Sequence, residues 1–160
     1  MSVRTGIGYD CHRFASGRRL VLGGVEVQHE LGLDGHSDAD VLAHAVIDAL
    51  LGAAALGDIG EHFPDTDERF RDADSIGLLR AAVALLGERR LAIVNVDATV
   101  VIEQPKLAPH RDAMRASLAA ALGVDVDRVS VKATRGEGMG FVGRGEGAAA
   151  LAIATIDTKT

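Results

Sequence analysis

The chain has a single cysteine, Cys11, no tryptophan, one tyrosine and three prolines among 160 residues. One cysteine excludes an internal disulfide and suits a reducing compartment. Aromatic residues make up only 3%, too few for the stacking platforms that hold single-stranded nucleic acid. There is no basic run, and the net charge is −6, so a broad surface for a phosphate backbone is not expected. No apolar stretch approaches the roughly 18 to 20 residues of a membrane-spanning helix. The opening Met-Ser-Val-Arg-Thr lacks the apolar core of a secretion signal. Together these absences predict a cytoplasmic protein with neither nucleic acid nor membrane as partner. What is present is ordinary for a globular chain: 48% hydrophobic and 25% charged residues, in a length that fits one domain.

The informative stretch comes first. Arg4 to Tyr9 reads as a strand. Continued through His12, its two-residue period puts Asp10 and His12 on one face and Cys11 on the other, as a packed strand residue. An Asp and a His two apart at a strand end can both reach one divalent cation. Two ligands do not hold zinc, however, and alone the pair reads more simply as a surface Asp and a capped His.

Further on, Leu20–Leu22 and Val25–Val27 flank Gly23-Gly24 as a hairpin. Gly32 to Gly35 reads as loop. Ser37 is the expected cap of a helix over about 38–56, with Asp38 and Asp40 in its first turn. Leu42, Ala45, Val46, Ala49, Leu50 and Ala53 form its apolar face. Asp40, His44 and Asp48 form a polar stripe flanked by Ile47 and Leu51. A helix apolar nearly all round is buried on both sides, which in a small chain predicts an oligomer interface. A polar loop over 57–67 precedes a second helix over about 74–89, capped by Asp74 or Ser75. Leu91 to Glu103 reads as extended. A third helix follows Pro109 and stops at Gly123. Strands over 129–134 and 148–156 bracket a glycine-rich loop, 135–147. This order predicts an α+β fold, a mixed sheet with helices on one face.

On a largely apolar helix His44 is by itself most simply a hydrogen-bonded core residue. Beside Asp10 and His12 it is a third ligand, leaving the fourth tetrahedral position open as in a catalytic site. Asp40 and Asp48 are then expected to steady its ring. His36-Ser37-Asp38-Ala39-Asp40 is both a capping sequence and a helix start able to hold phosphate, with His36 as a further donor. Gly138, Gly140 and Gly143 spell G-x-G-x-x-G, but no helix is expected after them and the chain ends too soon for a dinucleotide unit. In that loop, Glu137 is a candidate Mg²⁺ holder on a diphosphate or part of a mobile connection. Lys106, between Pro105 and Pro109, is a phosphate contact or a solvated turn residue.

In order along nearly the whole chain, these segments resemble the 2-C-methyl-D-erythritol 2,4-cyclodiphosphate synthase family. The resemblance rests on Gly8-Tyr9-Asp10-Cys11-His12, Leu22-Gly23-Gly24, His36 to Asp40, His44 to Gly60, Phe63-Pro64-Asp65-Thr66-Asp67, Asn95-Val96-Asp97, Pro105-Lys106, Val131 to Thr134 and Gly140 to Gly147. It implies one synthase domain over 1–160, a homotrimer with active sites between subunits, and a small CDP-linked substrate. The implied reaction is intramolecular attack of a 2-phosphate on a β-phosphate, releasing CMP. By matched position, Asp10, His12 and His44 bind Zn²⁺. Glu137 helps hold one Mg²⁺ or Mn²⁺ per site. His36 and Ser37 contact the phosphorylated erythritol part, whose pocket is lined by Asp58, Ile59, Gly60, Phe63, Pro64, Asp65, Thr66 and Asp67. The cytidine pocket, supplied by a neighbouring subunit, comprises 102–108, including Ile102, Pro105, Lys106, Leu107 and Ala108, together with Ala133 and Thr134. Phe141 and Arg144 face the site or a central cavity that can hold an isoprenoid diphosphate. One departure is Arg135, where the family commonly has a threonine that assists the transition state. The implied catalytic pair is thus His36 and Arg135, the arginine neutralising phosphate charge with its planar fork. The alternatives are a metallophosphoesterase, for which further Asn-His and His-x-His ligands are missing, and a non-catalytic trimeric binder of nucleotide or isoprenoid diphosphate.

Overall fold

The computed structural model describes residues 2–158. In chain order its elements are β1 (Arg4–Ala15), β2 (Leu20–Leu22), β3 (Val25–Val27), β4 (Gly32–Leu33), α1 (Val41–Ala53), α2 (Ile59–His62), α3 (Ser75–Glu88), β5 (Leu91–Val101), α4 (Arg111–Leu122), β6 (Val129–Thr134), α5 (Gly140–Gly143) and β7 (Gly147–Thr158). Five strands form one sheet in the order β4-β1-β7-β5-β6. β5 and β6 run parallel, and the other pairs are antiparallel. The fold is α+β with a mixed sheet, as expected. Among the described residues, no helix is long and apolar enough to cross a membrane.

Helices α1, α3 and α4 cover one face of the sheet. The strands make room for α1 by carrying small residues inward. Ala148, Ala150, Ala152 and Ala154 of β7 are buried on that face. On β1 the matching positions are Gly6 and Gly8, paired with Ala154 and Ala152. A Cβ on Gly6 would lie 2.1 Å from the Ala49 carbonyl oxygen, and one on Gly8 1.9 Å from that of Ala45. Backbone therefore rests on backbone here, which only glycine permits. The alternate residues of β1 and β7 point the other way. Ile7, Tyr9, Leu151 and Ile153 are exposed, Ile7 at 70% and Tyr9 at 52%.

This arrangement corrects the expected interface role of α1. The helix is buried within its own chain, from Val41 to Ala53 except at Asp48 and Gly52. Its all-round apolarity answers to the sheet on one side and α3 on the other. The exposed apolar surface lies on the outer sheet face instead. Cys11 is correctly turned from Asp10 and His12, but it is exposed on that outer face and not packed.

The start of α1 also differs from expectation. Asp40, not Ser37, is the cap; its carboxylate accepts from the Ala43 N–H. The same carboxylate accepts from the N–H groups of Gly23 and Gly24, both at 2.8 Å. These glycines, at φ 59° and 75°, form the β2–β3 turn, where left-handed backbone is required. One buried carboxylate thereby ties the hairpin to the helix. β4 and the one-turn helices α2 and α5 were not legible as such. Gly123 ends α4 in the left-handed conformation, as its sequence position predicts.

Candidate metal centre and active site

β1 delivers Asp10 and His12 to the helix side of the sheet, and α1 delivers His44 against them. Asp10 Oδ2 lies 2.9 Å from His12 Nε2 and 3.0 Å from His44 Nδ1. The two ring nitrogens are 3.4 Å apart. The opposite nitrogen of His12, Nδ1, lies 2.8 Å from the Asp34 carbonyl oxygen. A carbonyl only accepts, so Nδ1 carries the proton and Nε2 turns a lone pair toward Asp10. A lone pair thus faces a carboxylate, which is stable only with positive charge between them. A divalent cation fits this donor set of one carboxylate and two imidazoles. Without one, protons take that place. Burial would raise the Asp10 pKa, but hydrogen bonds from the two histidines and their charge hold it down at about 2. Burial would lower that of His12, and the Asp10 carboxylate more than offsets it, leaving the ring easier to protonate than usual.

The triad forms one wall of a cavity of about 360 Å³, with Gly35, His36, Ser37, Ile59, Gly60, Phe63, Pro64, Asp65, Phe70 and Leu78 around it. The Arg18 guanidinium holds the 33–37 loop by donating to the carbonyls of Leu33, Gly35 and Ser37. His36 Nε2 lies 3.0 Å from the Asp67 carbonyl oxygen. Asp58 and Thr66 are exposed outside the lining, and the Asp67 carboxylate is taken up by Arg69. Asp58 caps α2 and so shapes the wall at Ile59 and Gly60.

Neither expected partner of the His44 ring holds it. Asp40 is occupied by the hairpin and by Ala43. Asp48 accepts from the Ile59 N–H at 2.7 Å, fastening α2 to α1. The ring instead meets two hydroxyls through Nε2: Ser75 Oγ at 2.8 Å and Ser37 Oγ at 3.3 Å. Ser75 went unrecognised because it lies 31 residues from His44 and reads locally as part of a helix cap. Asp74 is that cap, which leaves Ser75 to point inward.

A separate cavity of about 190 Å³ gathers Ile102, Glu103, Pro105, Lys106, Leu107, Ala108, Ala133, Thr134 and Arg135. Within one chain the residues matched to erythritol and to cytidine therefore occupy different cavities. Arg135 donates to Glu103 at 2.8 Å, and the Gly136 N–H donates to the other oxygen of that carboxylate at 2.9 Å. Glu137 is exposed, at φ 53°, and lines neither cavity. Phe141 lines a third cavity with Cys11, His12 and Phe14. Arg144 pairs with Glu146.

Comparison with known proteins agrees with this architecture. The YgbB family model matches residues 3–157. The chain is 61% identical to the 2-C-methyl-D-erythritol 2,4-cyclodiphosphate synthase of Salinibacter ruber over 156 residues, 98% of this chain and 99% of the relative. It superposes on the bifunctional IspDF of Campylobacter jejuni with a TM-score of 0.93 and 44% identity, covering 97% of this chain and 42% of the larger one. A CDP complex of IspF from Plasmodium falciparum gives a TM-score of 0.87 at 30% identity, with 99% and 98% covered. With the family model spanning all but a few terminal residues, and with a relative this similar over its whole length, the chain belongs to the YgbB family.

Proposed function

We propose that residues 1–160 form one synthase domain that converts 4-diphosphocytidyl-2-C-methyl-D-erythritol 2-phosphate to 2-C-methyl-D-erythritol 2,4-cyclodiphosphate and CMP. The observation that carries this reading is the Asp10–His12–His44 cluster, opening into a cavity walled by His36, Ser37 and the 59–65 segment. The 2-phosphate oxygen forms a bond to the β-phosphorus. The bond from that phosphorus to the bridging oxygen breaks, and the oxygen leaves with CMP.

Such a ring closure asks the protein mainly to hold the two phosphates in line and to offset their charge. His36 and Ser37 hold the phosphorylated erythritol part. Ile59, Gly60, Phe63, Pro64 and Asp65 fix its carbon frame, with Asp58, Thr66 and Asp67 at the margin. Lys106, with Ile102, Pro105, Leu107, Ala108, Ala133 and Thr134, receives the cytidine. Arg135 offers charge to the phosphates. Asp10, His12 and His44 would hold Zn²⁺, and Glu137 would help hold Mg²⁺ or Mn²⁺. Bound there, the ions supply Lewis-acid polarisation of the diphosphate. A phosphate is already a nucleophile at neutral pH, so no general base is required.

A homotrimer joins the two cavities across subunits. Two features support it: the cavities are separate within one chain, and the outer sheet face exposes Ile7, Tyr9, Leu151 and Ile153. An isoprenoid diphosphate on the trimer axis and a cytoplasmic location belong to the same reading. Phosphorus NMR tests it, with the CDP-linked substrate, zinc and magnesium supplied. CMP together with a cyclic diphosphate is the expected outcome. An acyclic product would point to a phosphoesterase, and binding without turnover to a non-catalytic module.

A further inference from the structure

Asp38 and Ser75 have no place in the reaction above, yet they are joined to the metal-binding histidine. Ser75 is completely buried. Its N–H donates to Asp38 Oδ2 at 3.0 Å, and its hydroxyl donates to Asp38 Oδ1 through a short hydrogen bond. A serine hydroxyl has one proton. With that proton committed to a carboxylate, which only accepts, Oγ is left as an acceptor toward His44 Nε2 at 2.8 Å. The hydroxyl of Ser37 already accepts from the Ala39 N–H, so it tolerates the same polarity.

From this chain of contacts we infer that Asp38 and Ser75 are positioning residues that set which nitrogen of His44 serves a cation. They give the proton on Nε2 an acceptor and so leave Nδ1, the nitrogen that faces Asp10, as the donor atom. His12 is fixed in the opposite sense, its Nδ1 proton held by the Asp34 carbonyl and its Nε2 turned to Asp10. Without a cation a proton stands between Asp10 and the rings, and a cation takes its place. With the Ser75 hydroxyl reversed, Nε2 would have to be unprotonated and Nδ1 would no longer be singled out. Partners that orient a ligand in this manner are worth roughly 10- to 100-fold in metal affinity.

The inference rests on the metal reading of the triad, and zinc alone, without substrate, tests it. Which nitrogen of His44 carries the metal is read by nitrogen-15 NMR of the zinc-loaded protein. The wild type is expected to show Nδ1 bound and Nε2 protonated. Zinc affinity is measured by competition with a chromophoric chelator in wild type, Ser75→Ala and Asp38→Ala, with melting curves reporting folding. Both variants are expected to bind about 10- to 100-fold more weakly. Asp38→Ala should also shift the His44 Nε2–H resonance, because the Ser75 proton is then free to turn toward the ring. A role in packing alone would leave that resonance unmoved. The wild-type spectrum decides the matter even where a variant fails to fold: zinc bound through Nε2 of His44 overturns the inference. So does zinc affinity within twofold of wild type in both folded variants. A wild type that binds no zinc would overturn the metal reading as well, which separates the two failures.

Discussion

Replacing Gly8 with alanine tests whether the contact between β1 and α1 sets the candidate metal centre. The added Cβ would lie 1.9 Å from the Ala45 carbonyl oxygen and 2.8 Å from the Ala49 N, where ordinary contact begins near 3.4 Å. Both obstacles are helix backbone and cannot rotate away. Strand and helix must therefore part locally by about 1.5 Å, with the cost of an overpacked core, roughly 1–3 kcal/mol. For a chain of this size that is a fall in Tm of about 3–10 °C. The function-bearing consequence is larger. Asp10 lies two residues along β1 from Gly8, and His44 adjoins Ala45. Metal–ligand distances tolerate about 0.2 Å, so even a third of that displacement disperses the donor set. The expected result is a folded variant with a lowered melting point and zinc affinity reduced by at least tenfold. Calorimetric melting with and without zinc measures both, since a ligand bound only to the native state raises Tm by mass action. A Gly8→Ala protein that melts within 1 °C of wild type and gains the same zinc-dependent shift would refute the reasoning.

Four further outcomes are expected. His44→Ala removes a ligand and should abolish both zinc binding and cyclodiphosphate formation; wild-type turnover in that variant would rule out the zinc assignment. Arg135→Thr restores the common family residue and should keep turnover within about tenfold, and a collapse in the phosphorus NMR assay would give the arginine a role that the family pattern does not describe. Asp40→Asn sets an amide N–H against one of the N–H groups that the carboxylate now accepts, costing about 2 kcal/mol in urea unfolding. Asp40 also predicts a pH dependence. Its complete burial raises the pKa from 3.8 to about 6, against the pull of its three N–H bonds and with the charge of Asp38 adding to the rise. Between these values the native state holds a proton that the unfolded chain has released. The contribution of this group to stability therefore declines as pH rises from about 4 through about 6. The decline should be absent from Asp40→Asn when the two proteins are compared across that range, and parallel curves would contradict the assignment.

Most of the architecture was legible because its signals are local. Two-residue alternation placed Asp10 and His12 on one side of a strand, and the glycine pair placed the hairpin. The triad also followed, since metal ligand types are few. Long-range hydrogen bonding was not legible. Asp40 and Asp48 look like partners of His44 because they stand one turn away on either side. A residue one turn away also neighbours other segments, and Asp40 meets the hairpin while Asp48 meets Ile59. Ser75 carries no motif that distinguishes it from any serine at a helix start. Burial of α1 was foreseen, but what buries it was not: hydrophobicity shows that a face is covered without naming the cover.

β1 is a strand with two readerships. Its even positions, Gly6, Gly8, Asp10 and His12, meet α1 and the candidate metal centre, while Ile7, Tyr9 and Cys11 face outward. A one-residue slip of β1 in the sheet would exchange the two sets, sending a carboxylate and an imidazole to the outer surface and a thiol to the centre. Only its outward positions can accept changes of side chain readily. Its count of residues is itself part of the catalytic design.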